Sequence, residues 1–263
     1  MNSDGPLYSP GWRVERLDDC HFYHVMDIPD VGVVGLPSPL GAFDLRGREA
    51  EYLGHVHLDG RRVLEIGPAS GALTFAMEGR GADVVAVELP PGADWDFVPV
   101  AGLDFDAIRV DREVVMSRLR NGFWLAHGKH NSRARVHYGD LYRMSEDLGR
   151  FDVAVLAAVL LHTRDPWRIV ENCGRRADRI VIVERLWPEL HGKPVVRFAP
   201  EEGSTQWDTW WDFSPDVLCR FLNVLGFSDS VVTYHDQRFV VGDSEHSIPM
   251  FTVVADRPSS EGH

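Results

Sequence analysis

Short, unbroken apolar runs separated by turn-forming residues dominate the middle of the chain. Residues 62–66 read Arg-Val-Leu-Glu-Ile, too short for a helix and apolar enough for a strand covered on both faces. A glycine-containing turn follows, and residues 73–79 predict a helix that stops at Gly79. The pattern then predicts strands over 83–88, 134–138, 151–157 and 179–184, with helices over 110–127 and 167–175 between them. Alternating strands and helices imply a parallel sheet covered on both faces, because parallel neighbours need crossovers that lie over the sheet. The end of the chain differs. After a helix over 215–225, the runs 230–234 and 249–255 are joined through a polar stretch containing Gly242 and Asp243, which predicts a hairpin finishing the sheet antiparallel. Residues 1–60 carry many Gly, Pro and aromatic residues without sustained periodicity and predict a cap of short elements ahead of a main unit over 61–263, the two forming one structural domain. The final Arg-Pro-Ser-Ser-Glu-Gly-His reads as a frayed terminus.

Composition narrows the class. With 263 residues, 44% apolar and 25% charged, the chain has globular proportions, which sets aside disordered, collagenous and disulfide-scaffold proteins. A net charge of −13 opposes unsteered binding to a polyanion and suits a soluble protein that handles small molecules. Residues 109–143 run against this, with eight Lys/Arg facing three Asp/Glu, a local excess open to an anionic partner or to a solvated helix face. Cys20, Cys173 and Cys219 are odd in number and widely spaced, so they indicate neither a disulfide framework nor a zinc site and fit a reducing compartment. The N-terminus lacks a basic region followed by an apolar one, and the longest apolar run spans 153–161, so a cytoplasmic location without membrane spans is expected.

The chemistry concentrates in the turn after the first strand, Glu65-Ile66-Gly67-Pro68-Ala69-Ser70-Gly71, where the backbone and a helix N-terminus can hold a ligand. A dinucleotide fingerprint would need glycines where Ala69 and Ala72 stand, and a Walker loop would need a Gly-Lys-Ser/Thr that is missing. Glu65 instead suits a positive group on the ligand, such as the amino group of a methionine moiety. Glu88, twenty-one residues after Gly67, ends the second strand, where a carboxylate can accept from both hydroxyls of a ribose. Asp140, in Tyr138-Gly-Asp-Leu-Tyr142, is placed to accept from an exocyclic adenine amine.

Strand, turn and helix, an acid at strand two and an acid after strand three together resemble the class I S-adenosylmethionine-dependent methyltransferases. The segment from Phe151 to Pro166 resembles that superfamily's fourth strand, and the terminal antiparallel hairpin is its hallmark. The resemblance, over about residues 60–256, implies an α/β Rossmann-like fold: a mostly parallel seven-stranded sheet ending in an antiparallel hairpin, with an N-terminal cap. It implies S-adenosylmethionine as cofactor, held by Glu65, Gly67, Pro68, Ala69, Ser70, Gly71, Glu88, Leu89, Asp140, Leu141 and Ala157. Ala69 departs from the superfamily's glycine pattern, and an alanine there tolerates close approach most easily with a negative φ. More narrowly, Phe22-Tyr-His24, Gly122-Phe-Trp-Leu-Ala-His127, Leu161-His-Thr-Arg-Asp-Pro166 and Trp210-Trp211 resemble the wobble-uridine tRNA methyltransferase-like group, whose relatives also look like small-molecule methyltransferases of secondary metabolism. The acidic balance favours a small-molecule acceptor over nucleic acid.

Methyl transfer is an in-line displacement, so a protein chiefly aligns the reactants, excludes water and removes a proton where the acceptor is a hydroxyl. His162 ends the fourth-strand segment beside the expected sulfur position and is the candidate base for O-methylation, with N- and C-methylation left open. Its alternative role is packing and hydrogen bonding at the strand end. His24 and His127 are further candidates, and Tyr23 and Phe43 in the cap can line the acceptor pocket or serve as core aromatics. Trp207, Trp210 and Trp211 can wall that pocket, with Asp208 or Asp212 binding a cationic or hydroxylated acceptor, though Asp212 can instead cap the helix that follows. Asp165, three residues after His162, reads as the cap of a helix opening at Pro166, and no metal is expected. A tRNA methyltransferase, or a methyltransferase fold that binds the cofactor without transferring methyl, are the alternatives.

Overall fold

The computed structural model describes residues 6–36 and 41–258; the expected frayed tail, apart from Arg257 and Pro258, lies outside the described residues. The N-terminal segment forms a 3-10 turn at Leu17–Asp19, a small hairpin of β1 (Met26–Ile28) and β2 (Gly32–Val34), then β3 (Ala42–Asp44) and the single-turn helix α1 (Glu49–Tyr52). The apolar runs then appear in the expected order. They are β4 (Arg62–Ile66), α2 (Ala72–Glu78), β5 (Asp83–Glu88), α3 (Phe105–Lys129), β6 (Arg135–Tyr138), β7 (Phe151–Ala157), α4 (Pro166–Gly174) and β8 (Ala177–Arg185). A second small antiparallel pair, β9 (Val196–Phe198) and β10 (Trp211–Phe213), precedes α5 (Pro215–Val224), β11 (Ser228–Val241) and β12 (Ser244–Asp256).

The main sheet has the order β3-β11-β12-β8-β7-β4-β5-β6. Strands β8, β7, β4, β5 and β6 are parallel, β12 and β11 close the sheet antiparallel, and β3 of the cap adds an antiparallel eighth strand at the β11 edge. The expected seven-stranded sheet is therefore present and extended by one strand that the cap supplies. The hairpin also pairs far beyond the expected runs, through Val241↔Ser244 around Gly242, because its outer half gains backbone ladder bonds that need no alternating apolar pattern.

Three apolar clusters hold the layers. Ile169, Val170, Leu218 and Leu222 of α4 and α5 pack on one sheet face. Tyr52, Leu53, Leu73 and Met77 of α1 and α2 pack on the other. Phe22 and Met26 of the cap meet Phe75, Phe123 and Trp124 of α2 and α3 in the third. Helix starts follow local chemistry: Asp104, Asp165 and Ser214 cap α3, α4 and α5 with side-chain acceptors, and Pro166 and Pro215 occupy the first turns. The cap is strapped to α3, where Arg118 donates to the carbonyls of Asp18 and Cys20 and His21 N–H donates to Arg118. Gly122 permits this passage, since a Cβ there would lie 2.6 Å from the His21 carbonyl oxygen.

The order of β4 to β7 places a topological switch between these two strands, the crevice in which open α/β sheets bind ligands at the carboxyl ends of their strands. Among the described residues no helix is long and apolar enough to cross a membrane.

Candidate functional site

The turn after β4 is built around left-handed backbone. Gly67, Ala69 and Gly71 have φ of 70°, 50° and 91°. A Cβ on Gly71 would lie 2.4 Å from the Phe75 ring, so glycine is required there by space as well as by φ. Ala69 departs from the expected negative φ: it occupies the left-handed region at a cost of about 1–2 kcal/mol. Ala158, just past the end of β7, does the same with φ of 50°, so the two adjacent strands β4 and β7 both end in strained alanines at the crevice. Ser70 is fully buried and its hydroxyl has no hydrogen-bond partner among the described residues.

Three carboxylates stand at this edge. Glu65, one residue before the end of β4, is buried and accepts from the Thr74 hydroxyl; burial pushes its pKa up to about 7, against the pull of that bond, and Glu88 adds to the rise. Glu88, the last residue of β5, accepts from Leu89 N–H at 2.8 Å through one oxygen. Burial raises its pKa, while Leu89 N–H, Arg120, Arg112 and the N–H of Ala69 draw it back. Asp140 is exposed after β6 and uses one oxygen to accept from Tyr142 N–H at 2.8 Å, leaving the other available. Leu141 beside it is buried in the core, and Ala157 ends β7 next to the strained Ala158. A small cavity of about 120 Å³ beyond Glu88 is lined by Leu89, Trp95, Arg112 and Arg120.

His162 ends a 3-10 turn, Leu160–His162, after β7. Its Nδ1 lies 2.5 Å from the Asp208 carbonyl oxygen, which can only accept, so Nδ1 carries the proton and Nε2 keeps a free lone pair. Burial lowers the imidazole pKa and Arg112 lowers it further, while the bond to Asp208 and the charge of Asp208 oppose them. Arg112 itself lies half-buried on α3, with its guanidinium 3.7 Å from the centre of the Trp95 ring and no partner for Nε. Tyr23 stands within electrostatic reach of Asp208 and Arg112, and burial raises its pKa. The crevice thus gathers His162, Asp208, Arg112, Trp95 and Tyr23 from five separate stretches of chain.

Other expected residues have other surroundings. His24 packs against Tyr23 and Phe43, with its pKa lowered to about 4 by burial, and Phe43 stacks on Phe239 of β11 at 4.7 Å. His127 stands apart, bonded through Nε2 to the Ala134 carbonyl and set among Phe75, Phe123 and Trp124. Trp207 packs on Phe97, and Trp210 is buried and donates to the Asp96 carbonyl. Trp211 donates to the Thr163 carbonyl and lines a cavity of about 730 Å³. Asp212 pairs with Arg197 instead of capping α5, because Ser214 already accepts from Val217 N–H. Asp165 caps α4 as expected, accepting from Arg168 N–H. Among the described residues no group of three or more His, Cys, Asp or Glu is arranged to hold a metal ion.

The basic excess over 109–143 is largely absorbed internally. Arg109 pairs with Asp94 and Asp106, Arg120 with Glu113, and Arg135 with Asp83, while Arg118 is spent on the cap.

Sequence reasoning missed Glu184, buried one residue before the end of β8, and Arg112. An acid closing an apolar strand, the signal that singled out Glu88, was present at Glu184 as well. Nothing local marks Arg112 among the other arginines of α3.

No family model matches the sequence, and no curated protein matches it. Solved structures do resemble the fold. A glycopeptide N-methyltransferase, MtfA, complexed with S-adenosyl-L-homocysteine superposes with a TM-score of 0.54 at 17% identity, covering 82% of this chain and 90% of that one. A second crystal structure of the same enzyme gives 0.52 at 18% identity, covering 80% and 94%. The N-terminal domain of EvdMO1 with the same ligand gives 0.47 at 20% identity, covering 80% and 78%. The chain has the Rossmann-like fold of class I methyltransferases.

Proposed function

We propose that this chain is an S-adenosylmethionine-dependent methyltransferase that methylates a hydroxyl of a small-molecule acceptor, of the secondary-metabolite kind its sequence resemblance suggests, with His162 as the base. The observation that carries the reading is the fixed tautomer of His162, neutral and with Nε2 free, at the end of β7 in the ligand-binding crevice of a methyltransferase fold.

The residues present fit the cofactor. Glu88 presents its carboxylate at the end of β5 for ribose hydroxyls, Asp140 keeps one oxygen for the adenine amine, and Leu89 supplies an apolar flank. Glu65 is poised to ionise against an ammonium, and the turn that carries Gly67, Gly71 and the unpartnered Ser70 hydroxyl presents its left-handed backbone at the crevice. When bound, S-adenosylmethionine supplies a methyl group on a sulfonium. The protein's part is to bind, orient and deprotonate: Tyr23 stands at the crevice, and His162 takes the acceptor's proton at Nε2. The Asp208 carbonyl steadies the imidazolium so formed.

Calorimetric titration with S-adenosylmethionine, and with NAD in parallel, tests the cofactor. Micromolar binding of the sulfonium alone is expected, and a folded protein that ignores it refutes the reading. Adenosylhomocysteine release with hydroxylated metabolites then separates a transferase from a protein that only binds the cofactor. With Arg109, Arg118 and Arg120 of α3 engaged internally and a net charge of −13, no retention of tRNA at low salt is expected; salt-sensitive retention would restore the tRNA alternative.

A further inference from the structure

The cavity of about 730 Å³ lies at the carboxyl end of β8, one strand beyond β7 and His162, and plays no part in holding the cofactor. Leu161, the neighbour of His162, is one of its lining residues, so the cavity adjoins the base. Its walls are unusual in charge. Glu184, Glu189, Glu201, Glu202 and Asp212 face Arg185 and Arg197 across it. Arg197 is committed to Asp212 and Glu189, while Arg185 has no ion pair among the described residues and lies, like Arg197, over the Trp187 ring, at 4.1 and 4.8 Å, so the five acids still outnumber the two guanidiniums. Glu201 and Glu202 sit exposed at the rim with no ion pair among the described residues. Glu184 is 3% exposed, and its Oε1 has no hydrogen-bond partner among the described residues. Phe198 and Trp211, 5.7 Å apart and edge-to-face, supply the apolar wall.

A buried carboxyl oxygen without a partner, acids left over at the rim and aromatic faces are together complementary to one kind of group, an organic cation. A carboxylate or phosphate would meet unpaired acids, and a neutral hydroxyl would leave the rim charges unused. Building on the methyltransferase reading, we propose that the acceptor carries a protonated amine, that this amine enters the cavity along the wall formed by Phe198 and Trp211, and that Glu184 receives it as the specificity-determining residue. The atom methylated remains the one presented to His162; the amine is the handle by which the acceptor is read.

The titratable groups facing Glu184 are Asp212 on β10, itself held by Arg197, and Tyr52 on α1, while the N–H groups of Leu160 and Leu161 favour its ionised form. Burial outweighs them and pushes the Glu184 carboxyl up to about 8, so at neutral pH it keeps its proton until a cation arrives.

The test is calorimetry on the cofactor-free protein with three probes that share a ring and differ in charge: 2-phenylethylamine, 2-phenylethanol and 3-phenylpropionate. The amine is expected to bind at least about tenfold more tightly than the alcohol, and the acid most weakly. Glu184→Gln should bring the amine down to the alcohol's affinity while leaving the alcohol's unchanged. Amine and alcohol binding alike, preference for the acid, no binding of any probe, or a preference that survives Glu184→Gln would each overturn the proposal. Should Glu184→Gln fail to fold, the unaltered protein decides: repeated in buffers of different ionisation heat at pH 7, amine binding should release close to one proton and alcohol binding none, and equal release overturns the proposal. Because no cofactor is present, failure here is distinct from failure of S-adenosylmethionine to bind.

Discussion

Cofactor affinity should depend on pH through Glu65, and the size of the effect follows from its burial. In the free protein the carboxyl sits near pKa 7, chiefly because burial penalises its charged form. A ligand ammonium beside it would return it to the ordinary carboxylate range, so binding must expel the proton wherever the free group holds one. At pH 6 about nine in ten molecules hold it, at pH 8 about one in ten, and affinity should therefore rise about tenfold between the two, or about 1.4 kcal/mol. Adenosylhomocysteine is the suitable ligand, because it lacks the reactive sulfonium and keeps its amino group charged over this range. Titrations at pH 6, 7 and 8 read the slope directly. Glu88 is raised by the same burial and can add a slope of the same sign, so the comparison is with Glu65→Gln, which removes only the first contribution. A flat profile in the unaltered protein, or one equally steep in Glu65→Gln, would show that Glu65 does not face the ligand's cation.

Other outcomes follow from the same geometry. His162→Ala should lower turnover about 10² to 10⁴-fold with cofactor affinity nearly unchanged, and single-turnover rates near those of the parent would leave His162 a structural residue. Glu88→Ala should weaken S-adenosylmethionine by about 1–3 kcal/mol; an unaltered isotherm in the folded variant removes it from the ribose contact. Ala69→Gly should stabilise the protein by about 0.5–1 kcal/mol by relieving left-handed backbone, seen as a higher urea midpoint at unchanged slope, whereas a lower midpoint means the methyl packs usefully. Gly71→Ala should do the opposite, costing more than about 1 kcal/mol because its Cβ would strike Phe75, and a neutral result would mean that the turn relaxes freely.

The parallel core was legible because each of its strands is buried on both faces and so appears as a continuous apolar run, as in Val84 to Val87. The acids Glu65 and Glu88 stood out as charged residues within or at the end of such runs. What escaped the pattern is structure held by backbone ladders or by distant partners. The outer end of β12, residues 244–247, is polar and exposed, the outer half of β11 mixes polar residues with Phe239, Val240 and Val241, and β3 is three residues long, so none carries a periodic signal. Helix α3 begins at Phe105, five residues before its expected start, because Asp104 caps its first turn by accepting from the Asp106 and Ala107 N–H groups. His127 and His162 look alike in sequence; only their partners, a packed aromatic cluster for one and the Asp208 carbonyl for the other, separate them.

Glu65, Glu88 and Glu184 close three strands of one sheet edge, and burial raises the pKa of all three. Such groups oppose folding at neutral pH: the folded state holds protons that the unfolded chain releases from about pH 4.5 upward, so their contribution falls as pH rises toward 7 and 8. A fold selected for stability alone would place apolar residues there, as it does at the neighbouring Ile66, Val87 and Val183. Raised carboxyls are relieved by positive charge, and each faces a place where the proposed ligands are polar or cationic: ammonium at Glu65, ribose at Glu88 and the acceptor's amine at Glu184. The edge that destabilises the empty protein is thus the edge on which both ligands would be held, and cofactor and acceptor binding should each offset part of that opposition.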